Sequence, residues 1–122
     1  MDEVKSVLVV NDEPLVRFAA VDALEQAGFE VLEARNADEA LILLNQRTVD
    51  AVFTDINMPG SMDGLALVSQ IRALSPETRV VVTSGDVRLG NFDLASGVSF
   101  LPKPVPIQTL IKLLSTPVPK SN

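Results

Sequence analysis

Three short runs, Val7-Leu8-Val9-Val10, Ala51-Val52-Phe53 and Val80-Val81-Val82, are continuously apolar, rich in β-branched residues and free of polar alternation. That pattern predicts strands buried on both faces, as in a parallel sheet. Two weaker runs, Glu30-Val31-Leu32 and Val98-Ser99-Phe100-Leu101, fit as further strands. Between them the pattern is helical. Pro14 to Ala27 opens with a proline suited to the first helical position and stops at Gly28. Asn36, with Glu39 three residues on, resembles a capping box ahead of Ala40-Leu41-Ile42-Leu43-Leu44. Gly64 to Leu74 puts Leu67, Val68, Ile71 and Leu74 on one stripe and ends before Pro76. Val87 to Ala95 reads as a poor fourth helix, interrupted by Gly90 and Asn91, and Ile107 to Leu114 carries Ile107, Leu110, Ile111 and Leu114 at helical spacing. Pro117 and Pro119 keep the tail from continuing it. Alternation of five strands with five helices predicts one doubly wound α/β domain, a parallel sheet with helices on both faces.

In open parallel sheets ligands bind beyond the carboxyl ends of the strands, so the residues after each apolar run are the candidates for chemistry. They are Asn11-Asp12-Glu13, Thr54-Asp55, Thr83-Ser84-Gly85 and Pro102-Lys103-Pro104. Composition narrows what they can do. The chain has no Cys and no His, which excludes thiol redox, disulfides, Cys/His zinc sites and a Ser-His-Asp triad. Ten basic against sixteen acidic residues give a net charge of −6, a field that repels nucleic acid and anionic membrane. No apolar stretch approaches a membrane span or signal-peptide core, and Met1-Asp2-Glu3 is acidic, so a cytoplasmic location is expected. Brought together, Asp12 and Asp55 would repel each other unless cations compensated them. Lys103 supplies one charge. A hard divalent ion held by oxygens would supply the rest, and Mg²⁺ keeping several waters suits. Such a site would be net positive and would welcome a phosphoryl group.

Read in order, Val7 to Pro14, then Thr54-Asp55-Ile56-Asn57-Met58-Pro59 with Met62-Asp63-Gly64, then Val82-Thr83-Ser84-Gly85, then Leu101-Pro102-Lys103-Pro104, the chain resembles the receiver domain of bacterial two-component response regulators over essentially its whole length, residues 1–122. The resemblance implies a flavodoxin-like sheet of strand order 2-1-3-4-5 with five helices. It implies that Asp55 is the phosphoacceptor, taking a phosphoryl group from a phosphohistidine on a sensor histidine kinase or phosphotransfer protein. Asp12 then corresponds to a direct Mg²⁺ ligand, together with Asp55 itself, and Asn57 to the position whose backbone carbonyl completes the ligation. Thr83 corresponds to the hydroxyl that bonds the phosphoryl oxygen and Lys103 to the ammonium that pairs with it. Phe100 matches the aromatic that rotates inward as the threonine moves, altering the face formed by the fourth helix, fifth strand and fifth helix. A cis Lys103-Pro104 bond is also implied. Lacking His, the chain cannot be its own phosphohistidine donor. Its chemistry would be phosphorylation and dephosphorylation of itself at Asp55 rather than turnover of a separate substrate. As the sequence stops soon after the last helix, output is expected through protein contact rather than nucleic acid or membrane.

Two departures stand out. Where the family usually has adjacent acids after the first strand, this chain has Asn11 and then Asp12, so one negative charge is missing. Asn11 can contact the ion through water at most, and weaker Mg²⁺ binding is expected. One extra residue falls within Pro59-Gly60-Ser61-Met62. Taken singly, the residues have plainer readings: Asp55 as a turn residue, Asp12 as an N-cap before Pro14, Asn11 as a turn former, Thr83 and Ser84 as strand-end hydroxyls, Lys103 as a solvated charge and Phe100 as packing. Asp63 and Gly64 read as structural, starting the third helix. Three other functions compete. A pseudo-receiver would bind partners constitutively without phosphotransfer. A Mg²⁺-dependent phosphohydrolase would need a cap or substrate pocket that these short loops do not provide. A flavodoxin-like cofactor carrier would need a phosphate-binding loop after the first strand, and none is present.

Overall fold

The structure, a computed structural model, describes residues 4–56, 64–85 and 98–115. In chain order these form β1 (Ser6–Val10), α1 (Pro14–Gln26), β2 (Glu30–Ala34), α2 (Ala37–Gln46), β3 (Ala51–Asp55), α3 (Gly64–Leu74), β4 (Arg79–Ser84), β5 (Val98–Pro102) and α4 (Ile107–Ser115). The five strands make one sheet of order β2-β1-β3-β4-β5, and every adjacent pair is parallel. The fourth helix expected at Val87–Ala95 lies outside the described residues, so α4 is the fifth in the sequence reading. No helix of the described residues is long and apolar enough to cross a membrane.

Continuous apolar runs make the three inner strands, and the sheet shows why. β1 and β3 are buried at every position and β4 at all but its first. The edge strands β2 and β5 are only partly covered, which accounts for their weaker apolar signal. Side chains alternate across the sheet. Leu8, Val10, Val52, Val80 and Val82 meet α2 and α3 on one face, where Ala37, Ala40, Leu67, Val68 and Ile71 are buried. Val7, Val9, Ala51, Phe53 and Val81 meet Ala20 and Leu24 of α1 and Leu110 and Leu114 of α4 on the other.

Several local expectations change in detail. Thr54 and Asp55 are the last two residues of β3 rather than loop residues following it, because the ladder with β4 runs through Asp55 opposite Thr83. Asn36 caps α2 by accepting from the Glu39 N–H at 2.8 Å. Glu39, however, reaches back to the Arg35 N–H at 2.8 Å rather than to the cap's own, since it also grips the Arg35 side chain. Leu74 is 52% exposed at the end of α3, so the buried stripe stops at Ile71. The N-cap of α1 is Glu13, with no side-chain cap, and Asp12 does not serve as one. Instead Asn11 Oδ1 accepts from the Glu13 N–H at 2.9 Å, an Asx-type turn that explains a short amide at the strand end.

Candidate functional site

Asp55, Thr83 and Lys103 converge because of strand register. Asp55 and Thr83 are directly paired, and Thr83 is paired with Leu101, two residues before Lys103. With period 2, the side chains of 55, 83 and 103 fall on the face that carries α1 and α4. Asn11 shares that parity: Val10 pairs with Thr54, so Asn11 and Asp55 follow one another out of that ladder side by side. Asp12 is one residue further along the same edge.

Asp55 is 2% exposed. A carboxylate so buried needs compensation, and Lys103 Nζ donates to its Oδ2 at 2.6 Å. The Lys103 side chain is 34% exposed against 2% for Asp55, so the pair joins a buried carboxylate to a partly solvated lysine. Lys103 is held by its own N–H, which donates to the Ser84 carbonyl at 3.0 Å, and its bond to Pro104 is cis. Thr83 is equally buried, and its Oγ1 has no hydrogen-bond partner among the described residues. Orphan buried hydroxyls are rare and call for an explanation. Here the hydroxyl stands in the register position beside a buried carboxylate and its lysine.

Asp12 is half-buried and makes no hydrogen bond or ion pair among the described residues. Asp12 and Asp55 therefore offer two carboxylates at one sheet edge, an all-oxygen set suited to a hard divalent cation that keeps most of its water. Among the described residues no group of three or more His, Cys, Asp or Glu forms a ready-made metal cage. Asn57 and Asp63, and the extra residue within 59–62, lie outside the described residues. Phe100 is half-buried on the opposite face of the sheet, packed against the α2/α3 core.

Two further features shape this edge: Gly64, which the sequence marks only as the start of the third helix, and Arg17, which no motif singles out. Gly64 donates its N–H to the Ile56 carbonyl at 2.9 Å, and a Cβ on it would overlap the Asp55 carbonyl oxygen and the Ile56 Cα. Only glycine lets α3 begin this close to the residue carrying the carboxylate. Arg17, 7% exposed in α1, donates from Nε to Glu33 at 2.9 Å and from Nη1 to the Asn11 carbonyl at 2.9 Å. A cation early in a helix opposes the helix dipole, which is the hint the sequence offered.

Known proteins match this architecture and these motifs. The model of the response regulator receiver domain matches residues 7–115. The sensor kinase CckA of Brucella abortus is 36% identical over 110 residues, covering 86% of this chain and 12% of that protein. The DNA-binding transcriptional regulator NtrC of Salmonella typhimurium is 34% identical over 116 residues, covering 88% of this chain and 24% of that protein. This chain thus spans a minor part of the length of both curated relatives. The crystal structure of the receiver domain of NtrX from Brucella abortus superposes with a TM-score of 0.79 at 35% identity, covering 88% of this chain and 92% of that one. On the strength of the family match over residues 7–115 and of relatives that match most of its length, this chain belongs to the response regulator receiver domain family of two-component signalling.

Proposed function

We propose that this receiver domain is a phosphoacceptor whose nucleophile is Asp55. The observation that carries the reading is the trio at the ends of β3, β4 and β5: a buried carboxylate, a partly exposed lysine bonded to it, and a buried hydroxyl with no hydrogen-bond partner among the described residues. In the proposed step, an Asp55 carboxylate oxygen attacks the phosphorus of a phosphohistidine on a kinase or phosphotransfer partner. The P–N bond breaks as the P–O bond forms, and the departing imidazole is left to take up a proton. Lys103 neutralises charge on the transferring group, and the Thr83 hydroxyl donates to one of its oxygens, so the residues act by positioning and electrostatics. Asp12 and Asp55 would hold Mg²⁺ together with the Asn57 carbonyl, with Asn11 in contact through water at most. The ion supplies charge neutralisation for incoming phosphoryl oxygens.

Phosphorylation would shift a two-state equilibrium through Thr83 and Phe100 and change recognition by a downstream protein. Under this reading Phe100, half-buried against the α2/α3 core, would be the ring that changes its burial. The partners and the absence of a spanning helix among the described residues suit work in the cytoplasm.

A second reading, constitutive binding by a pseudo-receiver, has one observation in its favour, the amide at Asn11 in place of an acid. Intact-mass spectrometry after incubation with acetyl phosphate separates the two. The phosphoacceptor reading requires one added phosphoryl group with Mg²⁺ present, less without it, and none in Asp55→Ala. An unmodified parent at saturating Mg²⁺ and phosphodonor would favour the pseudo-receiver.

A further inference from the structure

We propose that Arg17 is a positioning residue for Asp12, fixing the turn that presents this carboxylate at the site edge; the inference rests on reading Asp12 as a cation ligand. One side-chain hydrogen bond ties Arg17 to the residue before Asp12: its guanidinium donates at 2.9 Å to the Asn11 carbonyl. The residue after Asp12 is held by the first backbone turn of α1, Arg17 N–H to the Glu13 carbonyl at 2.9 Å, a bond that any side chain at position 17 keeps. The Asn11 side chain closes the same turn by accepting from the Glu13 N–H. Asp12 is thereby the apex of a turn held by the Arg17 side chain at Asn11 and by Asn11 Oδ1 and the helix backbone at Glu13, while its own carboxylate makes no hydrogen bond or ion pair among the described residues.

The location of Arg17 is otherwise unfavourable. Its side chain is 8% exposed, and as the fourth residue of α1 it sits where the helix dipole repels a cation. Burying a guanidinium there is tolerated only with good partners. One is Glu33 of β2, itself 43% exposed, which orients the planar fork. The other is the Asn11 carbonyl, which lies beyond the β1 ladder. Lysine has no fork to serve two partners at fixed angles.

Charge and geometry predict opposite signs, which makes the inference testable. Removing a positive charge near a cation site should tighten Mg²⁺ binding, whereas loosening the turn should weaken it. A purely structural role would lower the melting temperature and leave affinity unchanged in the folded protein. The experiment is a Mg²⁺ titration of the 122-residue chain followed by amide chemical shifts, for the parent, Asp12→Asn, Arg17→Met, Arg17→Lys and Glu33→Gln. It is run at a temperature where circular dichroism shows each variant folded.

The expected result is saturable binding in the parent, loss in Asp12→Asn, and about tenfold weaker binding in both Arg17 variants, the usual scale for residues that orient a ligand. Glu33→Gln, whose amide oxygen still accepts from the guanidinium, should fall between parent and Arg17 variants. Should Arg17→Met fail to fold, Arg17→Lys and Glu33→Gln carry the comparison. Parent-like or tighter binding in the folded Arg17 variants, with Asp12→Asn inert, overturns the positioning role alone. A parent that shows no saturable binding, or an Asp12→Asn that binds like the parent, overturns the cation site and the positioning role together.

Discussion

Replacing Thr83 by Val should make the protein more stable and less able to be phosphorylated. Thr83 is 2% exposed and its hydroxyl is buried with no partner. Such a group loses its hydrogen bonds to water on folding and regains none, a cost of about 1–3 kcal/mol. Valine keeps the β-branch that suits a strand and has nearly the same shape. It also places a methyl in the same space, worth up to about 0.8 kcal/mol of apolar burial. The polar neighbours Asp55 and Lys103 reduce both gains, so a net stabilisation of about 1–2 kcal/mol is expected. Urea unfolding followed by circular dichroism measures it as a higher midpoint at unchanged slope. Under acetyl phosphate the same variant should show slower or lower phosphorylation, because the donor to the phosphoryl oxygen is gone. A Thr83→Val protein less stable than the parent would refute the reasoning, since it would mean that the hydroxyl is satisfied in solution.

Other outcomes follow from single contacts. Gly64→Ala should cost about 1–3 kcal/mol in urea unfolding, because the new Cβ meets backbone at Asp55 and Ile56; a neutral result would show that α3 does not begin against β3. Asn36→Ala should cost about 1 kcal/mol by removing the cap of α2, read by the same unfolding assay. The Glu39 carboxyl is held below its ordinary value, first by the Arg35 backbone N–H and then by the Arg35 side chain. Its contribution is therefore complete above the unfolded-state value and is lost as pH falls through the folded one. For so exposed a group it amounts to a few tenths of a kcal/mol, and the stability gap between parent and Glu39→Gln should shrink as pH drops below about 4. Asn11→Asp should tighten Mg²⁺ binding in a calorimetric titration by restoring the missing charge, and unchanged affinity would show that the amide is not what limits the site.

The sheet was legible because its inner strands are buried on both faces, so β1, β3 and β4 appear as unbroken apolar runs. The convergence of Asp55, Thr83 and Lys103 was legible for a related reason: in a parallel sheet the residues following each run must collect at one edge. What escaped was information carried by single backbone groups. Whether Asp12 or Glu13 occupies the N-cap depends on where α1 begins, and Pro14 permits either. The closeness of Gly64 to Asp55 and Ile56 is a tertiary approach of α3 to the end of β3, which periodicity does not encode. Arg17 was not singled out by any motif, and only its contact with a carbonyl six residues back in the chain ties it to the site edge.

The central claim is that a phosphoryl group is received by Asp55. The most direct measurement treats the chain with acetyl phosphate and Mg²⁺, reduces any acyl phosphate with borohydride to the alcohol, and maps the reduced residue by peptide mass spectrometry. The account predicts homoserine at position 55, its amount lowered in Lys103→Met and Thr83→Val. Reduction at Asp12 or another acid, with position 55 intact, would contradict it.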